Sequence, residues 1–170
     1  AAPARLAALA PQAPGVILGA PDVPGAFTDS GWVFMERAFR DAERYFGGEP
    51  WVLGEASTRP ATERLQTQAA LRARYRAEYV TRWRAWVAGL GVAQGGGLRD
   101  AGQRLGALGG AGSPLLAALA LASRHTADSS MRPAFAPVHV VAVPDVKDRF
   151  VSKANEGYAR ALLALQAAVE

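Results

Sequence analysis

The chain has 170 residues, half of them hydrophobic and a fifth charged, with no cysteine and a formal net charge of +4. That length suits one domain able to bury roughly 70% of its unfolded surface. Zero cysteines exclude a disulfide scaffold, a thiolate zinc site and a cysteine nucleophile. No uninterrupted apolar run approaches the ~18–20 residues that cross a bilayer; the longest candidate, Pro114 to Ser123, is short and alanine-rich.

All basic residues except Lys147 and Lys153 are arginine, so the sequence pI near 10.0 reflects composition as much as function. The opening Ala-Ala-Pro-Ala lacks an initiator Met and a basic-then-apolar leader, the expectation for a processed form or an excised piece.

Ala1 to Gly25 carries Pro3, Pro11, Pro14, Pro21 and Pro24. A short helix over Arg5 to Ala10 fits; elsewhere proline fixes φ and removes donors, which favours extended or turning chain. Residues 1–27 therefore read as a lead-in to a helical domain over 28–170. Thr28 or Ser30 caps a helix expected to reach Phe46, with Trp32, Met35, Phe39, Ala42 and Phe46 on one stripe before Gly47-Gly48.

After a connection holding Trp-Val-Leu-Gly at 51–54, the spacing predicts a long helix over Ala61 to Leu90. Tyr75, Tyr79, Val80, Trp83, Trp86, Val87 and Leu90 share its stripe, and it stops at Gly89 and Gly91. Residues 28–90 then form a long helical hairpin and 91–170 a second helical half. Gly95-Gly96-Gly97 reads as a joint, and Leu98 to Leu108 as a short helix weakened by Gly102 and Gly106. Ser113-Pro114 starts another, serine as cap and proline at the first helical position. It runs to about Arg124 and is apolar nearly all round, hence central.

Val138 to Val143 is β-branched and proline-bounded, yet a strand without a partner does not make a sheet. An extended segment or short helical turn is expected. A last helix runs from Asp145 or Ser152 to Ala168, with Tyr158, Leu162, Leu165 and Val169 inward. The fold class is all-α, an irregular bundle of five to six helices around one long central helix, with no substantial sheet.

Candidate chemistry is sparse. His125 and His139 lack the spacing of a helical zinc site, and no His-Glu-x-x-His occurs. Gly-x-Ser-x-Gly is missing, and Ser113 in Gly-Ala-Gly-Ser-Pro suits a cap. Gly89-Leu-Gly91-Val-Ala-Gln-Gly95 has Gln94 where a dinucleotide fingerprint needs glycine and follows a helix, not a strand. The chain is expected to be no enzyme and to use no cofactor, metal or small-molecule substrate. Two other readings compete. A nucleic-acid-binding domain would use the arginine face of 61–90, Arg64, Arg72, Arg74, Arg76, Arg82 and Arg84; a solvated arginine face or a docking surface for an acidic protein, with Arg72, Arg76, Arg82 and Arg84 as the candidate partner surface, is the better reading. A small hydrolase would use His125 or His139 with a carboxylate such as Asp128.

Several motifs then occur in order: Val23-Pro24-Gly25-Ala26-Phe27-Thr28, Gly31-Trp32, Trp51-Val52-Leu53-Gly54, Tyr75-x-x-x-Tyr79-x-x-x-Trp83, Ser113-Pro114-Leu115-Leu116 with Thr126 ten residues after Leu116, and Phe135-x-Pro137-x-His139. Together with Tyr158-x-x-x-Leu162-x-x-Leu165, this series closely resembles the periplasmic C-terminal region of the IcmF-related, TssM-type inner-membrane proteins of bacterial type VI secretion systems. The resemblance implies a non-catalytic scaffold segment in the periplasm. Its implied partners are a small inner-membrane protein, an outer-membrane lipoprotein and further copies of itself. Membrane contact would be made only by parts of the full-length protein outside this chain. As structure, Gly25 and Gly54 suit turns, Phe27, Trp32 and Trp51 wedge the first long helix against the second, and Tyr75, Tyr79 and Trp83 form the facing ridge.

Overall fold

In the computed structural model, residues 1–11, 13, 15–41, 61–142 and 150–169 are described. The protein is mostly helical, in agreement with the all-α expectation. Its α-helices run in the order α1 (Asp29–Arg40), α2 (Ala61–Ala88), α3 (Leu98–Gly109), α4 (Pro114–His125), α5 (Ala136–Val141) and α6 (Glu156–Val169). Single 3-10 turns occur at Leu6–Ala8, Gly25–Phe27 and Arg132–Phe135.

The start signals act as their chemistry requires. Thr28 Oγ1 accepts from the Gly31 N–H at 3.2 Å and donates to the Gly25 carbonyl at 2.7 Å, so one hydroxyl caps α1 and closes the turn before it. Ser113 Oγ accepts from Leu116 N at 3.3 Å, with Pro114 opening α4. Only part of the stripe expected on the first helix, Trp32, Met35 and Phe39, lies on α1; Ala42, Phe46, Gly47 and Gly48, like Trp51 and Gly54, lie outside the described residues.

Helix α2 has 28 residues, about 42 Å of rise. Its carboxyl half is the packing half: Tyr79, Trp83 and Trp86 are buried, and Tyr75, Val80, Val87 and Leu90 pack against them. The half before Tyr75 is largely exposed, Leu65 and Leu71 included. Helix α4 is central, with Leu116, Ala117, Ala118, Ala120, Leu121 and Ala122 all buried.

The N-terminal residues are part of this core. Ala4, Leu6, Ala10, Ala13, Ile17 and Val23 join the same buried cluster as Trp83 and Leu116. Two short antiparallel contacts hold the segment: Ala4 bridges Val23, and β1 (Ile17–Leu18) pairs with β2 (Gly91–Val92). That pairing was not expected, because two-residue strands leave no period to read. Gly19 makes the approach feasible. Its φ is +74°, and a Cβ there would sit 1.9 Å from the Gly89 carbonyl oxygen.

Two helices form over 98–125 as expected, and the inward face expected on the last helix is corrected. The 98–125 stretch is, by length and composition, apolar enough to cross a membrane, although no unbroken apolar run marks it. Here it is two helices separated by residues 110–113, and more than half of its most apolar part is buried within the fold. The expectation names Gly102 and Gly106 of α3 as weak points in a helix, and the structure adds a packing role. Gly106 and Gly109 face α6, where a Cβ on Gly109 would lie 3.0 Å from the Ala159 carbonyl oxygen and 3.1 Å from Leu162 Cβ. At Gly109 the missing side chain lets two helix backbones close, which offsets the propensity cost of glycine there. Of the inward positions expected on α6, Leu162 packs against the core and Val169 is half-buried, but Tyr158 and Leu165 are exposed. Ala159 is buried with Leu162 and Gln166 beside it, whereas Tyr158 is 39% and Leu165 53% exposed, because the close approach of α6 to the glycines of α3 centres its inner face on Ala159. Over residues 138–141 the helical-turn alternative is the one observed, as α5, and Val143 lies outside the described residues.

Candidate functional site

The residues singled out by the sequence converge where the N-terminal segment, α1, α2 and α4 meet. Steps of four, four and three place Tyr75, Tyr79, Trp83 and Trp86 on one face of α2. Tyr75 stacks on Trp32 at 5.6 Å between centroids and on Phe27 at 5.9 Å. Tyr79 meets both edge-on, at 5.7 and 6.0 Å. Trp83 stacks on the His125 ring at 5.3 Å and meets Trp86 edge-on at 5.4 Å.

Each of the four α2 rings carries one polar hydrogen, and each hydrogen goes to a backbone carbonyl of another segment. Trp86 Nε1 donates to Pro21 O at 2.8 Å, Trp83 Nε1 to Phe27 O at 2.8 Å, and the Tyr75 hydroxyl to Ala26 O. The Tyr79 hydroxyl donates to His125 O at 2.5 Å, at the end of α4. The stripe is therefore both an apolar ridge and a row of staples. Three staples hold residues 21–27 and the fourth holds α4. Burial pushes the Tyr75 phenol up to about 12, with Glu36 adding to the effect, and burial raises Tyr79 further still.

The glycines close the same junction. A Cβ on Gly25 would lie 1.9 Å from the Ala1 carbonyl oxygen, and one on Gly31 would lie 2.1 Å from the Gly25 carbonyl oxygen. Both contacts are with backbone, so neither position has room to adjust.

The structure brings the two histidines to different places. His125 Nδ1 accepts from the Asp29 N–H at 3.1 Å, with the Asp29 carboxylate also at 3.1 Å. Burial pushes its ring below the ordinary imidazole value and Arg124 adds to this, while Asp29 opposes it. Asp128, the carboxylate paired with a histidine in the hydrolase reading, turns instead to Ser130, accepting from its N–H at 2.9 Å and its hydroxyl at 2.5 Å. Although burial raises the Asp128 carboxyl, bonds from Ser130 and Trp32 and the charge of Arg76 hold it below the usual range.

His139 lies 2.9 Å from Ser123 Oγ, a nucleophile-and-base distance that sequence spacing did not reveal. Ser123 is fully buried, and its hydroxyl also reaches Ala142 O at 2.8 Å. The other ring nitrogen faces the Thr126 carbonyl at 3.1 Å, not a carboxylate. Among the described residues, no group of three or more His, Cys, Asp or Glu is placed to hold a metal ion.

Four arginines of α2 bind the protein's own chain. Arg72 pairs with Glu36, Arg76 donates to Ser130 O at 2.6 Å, and Arg84 reaches Ala134 O at 3.4 Å. Arg82 pairs with Glu78 at 3.1 Å and lies 4.3 Å above the Phe27 ring. Two surface grooves flank α2 and reach the rims of Trp86 and Trp32, but Tyr79 and Trp83 line neither. Sequence reasoning found the ridge and missed its targets: carbonyl acceptors and the stacked His125 are set by tertiary position alone.

An interior ridge whose polar tips all end on backbone defines a packing junction. The IcmF-related family (intracellular multiplication and human macrophage-killing) has a family model that matches residues 1–127. The chain belongs to the IcmF-related family, whose members are secretion-system components. No curated protein matches the chain, and no solved structure does.

Proposed function

We propose that this chain is a non-catalytic scaffold segment of the type VI secretion membrane complex, acting in the periplasm by holding subunits together. The observation that carries the proposal is the commitment of the ridge. Tyr75, Tyr79, Trp83 and Trp86 spend every polar hydrogen on the chain's own backbone, so the most distinctive residues build shape. Family membership supports the secretion assignment, and the 42 Å rise of α2 (roughly, from its 28 residues) supplies a stiff element. Its partners would be a small inner-membrane protein, an outer-membrane lipoprotein and further copies of itself.

The guanidinium groups of Arg72, Arg76, Arg82 and Arg84 lie on the outside of α2 even while bonded, and they form the proposed docking face for an acidic partner surface. The test uses the full-length protein in its own envelope. Arg82→Glu with Arg84→Glu should keep the fold at a cost of about 1–2 kcal/mol, because Arg82 loses its Glu78 pair and its Phe27 contact while both side chains stay exposed. Co-purification of the other membrane-complex subunits should fall. Unchanged co-purification with an unchanged fold would remove these arginines from the docking face. A complex that assembles normally around a Trp83→Ala segment shown to be unfolded would overturn the scaffold reading itself.

A further inference from the structure

The polar cluster joining α4 to α5 holds more contacts than its hydrogens can satisfy while the His139 ring is neutral. Ser123 Oγ lies 2.8 Å from Ala142 O and 2.9 Å from His139 Nδ1. A serine hydroxyl has one hydrogen to give. Thr126 Oγ1 lies 2.8 Å from Ala122 O, where it donates, so its hydrogen is spent. His139 Nε2 faces the Thr126 carbonyl at 3.1 Å and Thr126 Oγ1 at 3.2 Å, and a carbonyl oxygen only accepts. The Nε2 position must therefore carry a hydrogen, and in the neutral ring Nδ1 is then a bare acceptor.

Two arrangements follow. With the ring neutral, the Ser123 hydrogen turns to Nδ1 and the Ala142 carbonyl loses it. With the ring charged, Nδ1 takes one proton from solvent and donates it to Ser123 Oγ, and the hydroxyl hydrogen turns to Ala142 O. Only the charged ring satisfies all of these distances together.

We propose that His139, Ser123 and Ala142 form a proton-operated relay in which the charge on the imidazole decides whether Ser123 holds the Ala142 carbonyl at the end of α5. The relay bears on a joint that other side chains also pin. Asn155 Nδ2 donates to Val141 O at 3.0 Å and to Phe150 O at 2.9 Å, tying the end of α5 to the start of the 150–169 segment. Protonation thus adds a bond from α4 to that joint, and deprotonation removes it. Arg132, from the turn before α5, is the charge acting on the ring among the described residues. Burial lowers the ring below the ordinary imidazole value, the Thr126 carbonyl opposes this, and Arg132 adds to it. The relay therefore works below about pH 6.5, and at neutral pH the Ala142 carbonyl is released.

Nuclear magnetic resonance of the isotope-labelled chain tests the relay on the unsubstituted protein. Ring nitrogen shifts should show the Nε2–H form above pH 7.5, and the Ala142 carbonyl carbon should titrate with the same midpoint as His139. In Ser123→Ala the ring should still titrate while the Ala142 carbonyl no longer follows it. Finding the Nδ1–H form in the neutral ring, or an Ala142 carbonyl indifferent to the ring, would overturn the proposal. Both readings are made without the variant, so a Ser123→Ala chain that failed to fold would leave the test decided.

Discussion

Trp83 offers the most demanding test of the packing junction. Its side chain is 0% exposed, its indole donates to Phe27 O at 2.8 Å, and its ring faces contact both Trp86 and His125. Truncation to alanine removes the largest fully buried side chain among the described residues and leaves a cavity in the core between α2 and α4. A loss of about 3–5 kcal/mol is expected. For a chain of this length that corresponds to a fall in melting temperature of roughly 6–20 °C. Trp83→Phe separates the two contributions. It keeps most of the apolar contact but leaves the Phe27 carbonyl without its donor, and should cost about 1–3 kcal/mol. Urea unfolding followed by circular dichroism at the helix band measures both while avoiding the altered tryptophan fluorescence. A Trp83→Ala chain within about 1 kcal/mol of the parent, against that 3–5 expectation, would show that the ring is no structural wedge. Equal losses for the two variants would show that the hydrogen bond, not the volume, holds the junction.

The remaining expectations use different parts of the fold. Tyr75 ionises near 12 in the folded state against an ordinary 10.0, so the unfolded chain ionises first, and stability should fall as pH rises from about 10 towards 12. Tyr75→Phe should reduce that fall while the part due to Tyr79 remains, and spectrophotometric titration with parallel melts would show a fall as steep as the parent's if the reasoning fails. His125 behaves oppositely: its folded value is depressed, so its contribution is present above about 6.5 and lost as pH drops below it. His125→Gln should weaken the acid dependence of the melting temperature between pH 7 and 5, and an identical profile would exclude His125 as a source. Among the glycines, Gly31→Ala drives a Cβ to 2.1 Å from the Gly25 carbonyl oxygen and should cost roughly 1–3 kcal/mol by overpacking. Gly106→Ala meets only the movable end of Gln166 at 2.7 Å and should be neutral or stabilising by up to ~1 kcal/mol through helix propensity. Denaturation midpoints that rank these two variants the other way would refute the close-approach account.

Local signals were legible in this sequence wherever one residue's chemistry determines its own surroundings. Thr28 and Ser113 carry cap oxygens, Pro114 opens a helix, and the aromatic steps from Tyr75 to Trp86 follow the helical period; each did what its local chemistry implies. The class of fold followed from these signals, because capping and periodicity act over a few residues. Position in space settled everything else. The β1–β2 pair joins residues 17–18 to 91–92, and its short strands carry no pattern of their own. The inward face of α6 is Ala159 rather than Tyr158, because the surface it meets is built by glycines of α3 some fifty residues away. The aromatic stripe could be read as apolar, but its carbonyl partners on Pro21, Ala26, Phe27 and His125 could not, since every peptide unit offers the same acceptor. Sequence determines which groups want a partner; only packing decides which of many identical partners comes within reach.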